Sequence, residues 1–385
     1  MEPGAVFLAV FLSLFTGYSI FETFSYDPPV IEKTPLKFSG SPLRLHLIGD
    51  FGELETKHEI APDTWQVDYV ASSMDRLAKE RPISMIIAAG DNVYEEPVGI
   101  DDPTMFKLLN DVFALENLDV PWYAVLGNHD CYTNSDYEVK MTNFFEKWNM
   151  PDYYYSKKFP IGEGKNAGFA FLNGCELACV YYLDEVKYPK LHHECSKMNP
   201  LASNSSISQQ YSWLEGVLKD WDSDSSVVWR TVVIHMPIFS VSKAHGDNDG
   251  LKQQLYPLLF KYNVDFVLSG HDHHMQYLSS PKGFEPNRFE PRNPNTDSCG
   301  HCNIIKDGRI VQVNKGYELS QIVMGASGGD LDDLCFNRTT SMANVKFGRY
   351  DYGFAEINID PRYYEVNLVD SNSTDFIFTL RVINQ

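Results

Sequence analysis

One theme recurs five times along this chain and restricts the folds open to it: a short apolar run, a small residue, then a knot of polar side chains of metal-binding type. It occurs at LRLHLIGDFG (43–52), ISMIIAAGDNVY (83–94), PWYAVLGNHD (121–130), RTVVIHMP (230–237) and VDFVLSGHDHH (264–274). Each run is rich in β-branched or aromatic residues and closed by Gly or Pro, the marks of a buried strand. Between the runs, TWQVDYVASSMDRLAKE (64–80) and QYSWLEGVLKDW (210–221) carry helical apolar spacing, and a further helix is expected from Lys252 to Tyr262. Strands alternating with helices predict an α/β fold whose strands are buried on both faces. In such folds the site forms where loops leave the carboxyl ends of the strands. All five knots fall at that end, so the order of the sequence predicts one cleft built from distant residues.

The candidate ligands in those knots are Asp50, Asp91, Tyr94, Asn128, His235, His271 and His273. Oxygen donors favour hard cations and imidazole suits iron or zinc. Seven donors exceed what one tetrahedral ion needs, whereas two ions sharing a bridging carboxylate use them all. No cysteine belongs to the set, so a zinc–thiolate structural site is not indicated. Taken singly the pieces are ordinary. A GD after a strand is a turn, GNHD a hairpin or a helix cap, His235 a satisfied interior histidine. GHDHH is more telling, because alternate residues His271 and His273 point differently and can reach neighbouring ions. The ordered series GD, GDNVY, GNHD, H, GHDH, each after an apolar strand, is what carries the metal reading.

The rest of the chain bounds the setting. A formal charge of −20 repels polyphosphate backbones and argues against nucleic-acid partners. The apolar run Ala5–Phe15, with Gly17 and Ser19 spaced like a cleavage site, reads as a signal peptide over 1–19 and is too short to span a membrane. No later stretch is apolar enough to anchor the chain. Sequons at Asn204, Asn337 and Asn372 fit a secretory route, giving a secreted or lysosomal/vacuolar glycoprotein. Residues 20–41 read as an extended lead-in and 42–385 as a single domain. Within it, 175–208 reads as an exposed loop and 281–315 as a surface insertion. Seven cysteines leave at least one unpaired within a monomer, and their pairing is not readable from sequence. Cys299 and Cys302, in CGHC, suit a redox pair, half a zinc knuckle or, the favoured reading, a loop-stapling disulfide. The final segment, DFIFTLRVINQ, alternates like a strand.

The motif series resembles the metallophosphoesterase superfamily and, within it, the purple acid phosphatases, closest to their small tartrate-resistant type. Tyr94, three residues after Asp91, is the discriminating residue. A phenol with a pKa near 10 needs a strongly acidic ion such as Fe(III) to ionise at low pH. The phrases PWYAVLGNHD, KWNMPDYYYSKKFP, QYSWLEGVLKDW and SGHDHHMQYL are similar too, so the likeness runs from Leu43 to the C-terminus around the insertion.

The resemblance implies a calcineurin-like β-sandwich of two mixed sheets flanked by helices, in αββα layers. It implies an acid phosphatase, a hydrolase of phosphate monoesters that acts as a monomer with a metal-bound hydroxide. Asp50, Asp91, Tyr94 and His273 would hold Fe(III), with Asp91 bridging. Asn128, His235 and His271 would complete the site of a second ion, Fe(II), Zn or Mn. His129 and His245 match the family's catalytic histidines. The ions leave the site slightly positive despite the acidic surface, because close charges in a cleft outweigh distant screened ones. Departures from the family pattern are Phe51 for Trp, Asn173 for Asp, and Gly250 where the family's disulfide partner of a cysteine like Cys179 would fall. Cys131, directly after GNHD, reads as a reactive thiol beside the site. Two other functions fit the same motifs: a phosphodiesterase or nucleotide hydrolase, and a catalytically silent scaffold or anchor that retains the fold.

Overall fold

The computed structural model describes residues 32–36, 41–54, 65–94, 107–132, 135–179, 195–198, 204–281, 310–334 and 343–385. The signal-peptide reading, the CGHC pair and the sequon at Asn337 lie outside the described residues.

The five apolar runs form strands, and each is buried for the same reason: one face meets a second sheet and the other meets helices. The first sheet has eight strands in the order β10-β15-β14-β13-β1-β2-β3-β4. It comprises β1 (Leu43–Ile48), β2 (Met85–Ala88), β3 (Trp122–Ala124), β4 (Trp148–Asn149), β10 (Ile310–Asn314), β13 (Gly353–Asp360), β14 (Tyr363–Asp370) and β15 (Phe376–Ile383). Strands β1 to β4 pair in parallel, and β1 meets β13 in antiparallel register, Leu45 opposite Ile357. The second sheet runs β12-β9-β11-β8-β7-β6-β5. Its strands are β5 (Tyr155–Gly162), β6 (Lys165–Phe171), β7 (Val227–Val233), β8 (Phe266–Ser269), β9 (Met275–Pro281), β11 (Glu318–Met324) and β12 (Asn344–Arg349). Strands β6, β7 and β8 are parallel and the edges antiparallel, so both sheets are mixed.

Aromatic rings join the sheets face to face. Phe266 of β8 stacks on Tyr364 of β14 at 3.8 Å, Trp229 of β7 meets the same Tyr364, and Tyr277 of β9 meets Phe378 of β15. The Gln66–Glu80 helix covers the first sheet with Val67, Val70, Met74 and Leu77, an i, i+3, i+4 stripe that buries its apolar face. Pro82 follows its C-cap and forbids another turn. On the far face of the second sheet, Leu214, Leu218 and Trp221 of the Asn204–Ser223 helix pack with Val232, Ile234 and Val267. Leu251, Leu255 and Leu259 of the Asp249–Lys261 helix join them. Each fully buried side chain of this kind contributes about 1.5–3 kcal/mol. The layers are helix, sheet, sheet, helix.

The structure departs from the sequence reading in two segments. The described ends of 175–208 are not exposed loop. Cys175 and Cys179 are buried in and just after a Gly174–Leu177 helical turn, Cys195 is buried, and the Asn204–Ser223 helix begins six residues earlier than its apolar pattern suggested. Polar Asn204, Ser205 and Ser206 hid that start. At the other end of 281–315, residues 310–314 are not insertion but the edge strand β10, parallel to β15. Of the lead-in, Lys33 donates to the carbonyls of Thr142, Phe145 and Trp148.

Candidate functional site

Each site residue sits where a parallel strand ends, and the backbone there is bent out of the strand. Asp50, Asp91 and His271 have φ of 57°, 50° and 70°, left-handed values that cost a non-glycine residue energy. The glycines beside them leave room for that bend. A Cβ on Gly90, itself at φ 94°, would lie 2.5 Å from His235 Nδ1, and one on Gly127 would lie 2.1 Å from Asp91 Oδ1. The recurrent G of GD and GN therefore reflects close approach to the side chains next door.

The seven predicted ligands converge. Tyr94 Oη lies 3.3 Å from Asp50 Oδ1, 3.0 Å from Asp91 Oδ2 and 3.1 Å from His273 Nε2. Asn128 Oδ1 lies 3.1 Å from His235 Nε2 and 2.8 Å from His271 Nδ1. Asp91 Oδ2 links the two groups, being 3.4 Å from His235 Nε2. His235 donates Nδ1–H to the Ala89 carbonyl at 2.8 Å, and His273 donates Nδ1–H to the Asp330 carbonyl at 2.6 Å. Those anchors turn both Nε2 atoms inward, the orientation that a metal-binding imidazole needs. One donor atom each from Asp50, Asp91 and His273 lies within 4.8 Å of the others.

The electrostatics describe a set of acids short of positive charge. Burial raises Asp50 above the usual carboxylate range, opposed by His235 and His273. Burial also opposes ionisation of Asp91, but His235 outweighs it and holds that carboxyl low. Tyr94 is pushed well above an ordinary phenol by burial and by the charges of Asp91 and Asp50. His235 is raised to about 9 and His273 to about 10, because nearby carboxylates overcome their burial. His271 is driven well down by burial and by His245 and His235.

The two predicted catalytic histidines stand at the rim. The His129 ring is 4.3 Å from that of Tyr94, and its backbone N–H donates to Asp91 Oδ1 at 2.9 Å. His245 stacks on His271 at 4.1 Å, and its Nδ1 lies 3.0 Å from Asp272 Oδ1. Burial lowers the His245 pKa, and the Asp272 bond more than restores it. Both histidines line a cleft of about 620 Å³ that also takes in Asp91, Asn128, Met198, Met236, Pro237 and Asp332.

Three further residues hold this cleft, two of them inside the motifs and one, Glu138, outside every motif. Asp130 accepts from the backbone N–H groups of Asn92, Val93 and Gly127, tying the second and third knots together. Asn92 donates to Asp130 and to Glu138. Burial and mutual repulsion raise both carboxyls, Glu138 far above normal. The D of GNHD and the N of GDN were the available signals. Glu138, in an exposed-looking DYEVK stretch, gave none.

The cysteines correct one expectation. Cys131 is not a reactive thiol: it is disulfide-bonded to Cys175. Cys179 pairs with Cys195, sixteen residues on. Phe51, the departure from Trp, is fully buried between Phe113 and Trp122. Asn173 caps the next turn by accepting from the Cys175 N–H.

A two-sheet sandwich with carboxylates, imidazoles, an amide and a phenol gathered at its strand ends is the frame of a metal-dependent phosphoesterase. Residues 43–275 match the sequence profile of the calcineurin-like phosphoesterases, and the chain belongs to that family. It is similar to purple acid phosphatase 4 of Arabidopsis thaliana, 27% identical over 238 residues that cover 61% of this chain and 63% of the relative. The matched segment thus spans less than two thirds of that protein. It is 29% identical to the tartrate-resistant acid phosphatase type 5 of Oryctolagus cuniculus over 256 residues, 63% of this chain and 70% of the relative. Among solved structures, GAP50, the anchor in the inner membrane complex of Plasmodium, has a TM-score of 0.61 at 20% identity and covers 90% of each chain, a likeness of fold.

Proposed function

We propose that residues 42–385 act as one catalytic domain that hydrolyses phosphate monoesters, with Fe(III) and a divalent ion (Fe(II), Zn or Mn) held by the seven side chains. The observation that carries this reading is Asp91 Oδ2, 3.0 Å from the Tyr94 hydroxyl and 3.4 Å from His235 Nε2. One carboxylate oxygen serves both halves of the set, as a bridge between two ions requires. The donor chemistry fits: buried acids, inward-turned imidazoles and a phenol that stays protonated unless a strongly acidic cation arrives.

When bound, the ions polarise the phosphate and activate water. The chain's own residues do the rest. Asp50, Asp91 and His273 orient the Tyr94 hydroxyl from three sides. His129, beside Tyr94 in the cleft, contacts the phosphate oxygens. His245 gives Nδ1 to Asp272, which leaves Nε2 to protonate the departing alkoxide. Met198, Met236 and Pro237 offer an apolar wall to the leaving group. The protein acts as a monomer with an acidic optimum, and follows the secretory route to the cell exterior or a lysosomal or vacuolar compartment.

A second reading, a silent scaffold, is favoured by the fold likeness to GAP50, an anchor protein. No helix among the described residues is long and apolar enough to cross a membrane. Parallel assays of p-nitrophenyl phosphate and bis(p-nitrophenyl) phosphate decide among the readings. Monoester turnover well above diester turnover supports the phosphatase. The reverse ratio supports a phosphodiesterase, and no turnover of either by metal-replete protein supports the scaffold.

A further inference from the structure

We propose that His245, Asp272 and Asp332 form a cation-binding position apart from the seven-residue cage, one that takes a borderline divalent cation such as Zn²⁺ and, when filled, silences the cleft. Each of the three places a donor atom within 4.8 Å of the others. Asp272 is fully buried; Oδ1 meets His245 Nδ1, while Oδ2 has no hydrogen-bond partner among the described residues. A buried carboxylate oxygen without a donor is an unmet demand for positive charge. Asp332 is half-buried and accepts from the His273 N–H at 3.2 Å. Lys243 pairs with the neighbouring Asp333 at 2.9 Å.

Access is provided by His245, whose side chain is 46% exposed and lines the cleft together with Asp332. An imidazole with two carboxylates, leaving positions open for water, is a donor set for zinc-like ions. An ion on that imidazole withdraws His245 from proton transfer. The inhibition therefore rests on the phosphatase reading, whereas the binding does not.

The test is a Zn²⁺ titration of the purified, metal-replete protein. Bound zinc is read by equilibrium dialysis and elemental analysis, and hydrolysis of p-nitrophenyl phosphate is followed in parallel. Wild type should bind one further, weaker equivalent, with the rate falling over the same zinc range. Asp332→Asn should weaken that equivalent ~10-fold and shift inhibition by the same factor. His245→Gln, altered at a solvent-facing side chain, should lose it. A weak equivalent indifferent to both substitutions, or saturation with no zinc beyond the cage, overturns the proposal. Zinc binding that depends on both residues in a protein without turnover upholds the site and removes the phosphatase reading instead.

Discussion

Cys131 and Cys175 are joined by a disulfide that ties the Asn128–Cys131 turn, after β3 of the first sheet, to the Gly174–Leu177 turn, after β6 of the second. Both residues are buried beside the cleft, and the cross-link closes a separation of 44 residues. A loop of that length is worth about 4 kcal/mol in the chain-entropy view. Asn128 lies three residues before Cys131, so the bond also fixes where one proposed ligand stands. Replacing both cysteines with alanine should lower the unfolding free energy by about 3–4 kcal/mol in urea titrations and speed the loss of metal on dialysis. Metal retention equal to wild type would confine the bond to stability.

His129 is proposed to act on substrate, since its ring faces Tyr94 and lines the cleft while its backbone N–H donates to Asp91. His129→Ala should therefore lower kcat by roughly 100-fold or more and leave the metal content near that of wild type. Equal loss of turnover and metal, measured on the same preparation, would recast His129 as part of the metal scaffold.

Much of this arrangement was legible in the chain, because strand ends and proposed ligands coincide in it. Gly49–Asp50, Gly90–Asp91 and Gly270–His271 each close an apolar run, and the parallel order of the strands then brings them together. The parts that were not legible depend on distance through space. Nothing in the spacing of seven cysteines distinguishes Cys131–Cys175 from its alternatives. Glu138 looks like a surface residue until the fold buries it against Asn92 and Asp130. Asp272 is the D of GHDHH and Asp332 lies far beyond that motif, and nothing in the order of residues places either of them beside His245.

His46, on β1, is completely buried, packs 4.8 Å from the Phe354 ring, and has neither ring nitrogen hydrogen-bonded among the described residues. Burial lowers its pKa to about 4, against the pull of Glu356. The folded pKa lies below the unfolded value near 6.5, so the unfolded chain takes up the proton first. The sign follows: stability is full above the unfolded pKa and falls as pH drops from about 6.5 to about 4, by about 3 kcal/mol in all. His46→Phe should flatten the stability curve across that window in urea titrations at several pH values. A curve unchanged in slope would show that His46 keeps its ordinary affinity for protons.

The most direct test of the dinuclear proposal is elemental analysis of the purified protein together with its visible spectrum, for wild type and for Tyr94→Phe. Wild type should carry about two metal ions per chain, iron among them, and show a purple charge-transfer band that disappears in Tyr94→Phe. A colourless, iron-free wild type, or a band that survives loss of the phenol, would contradict the account.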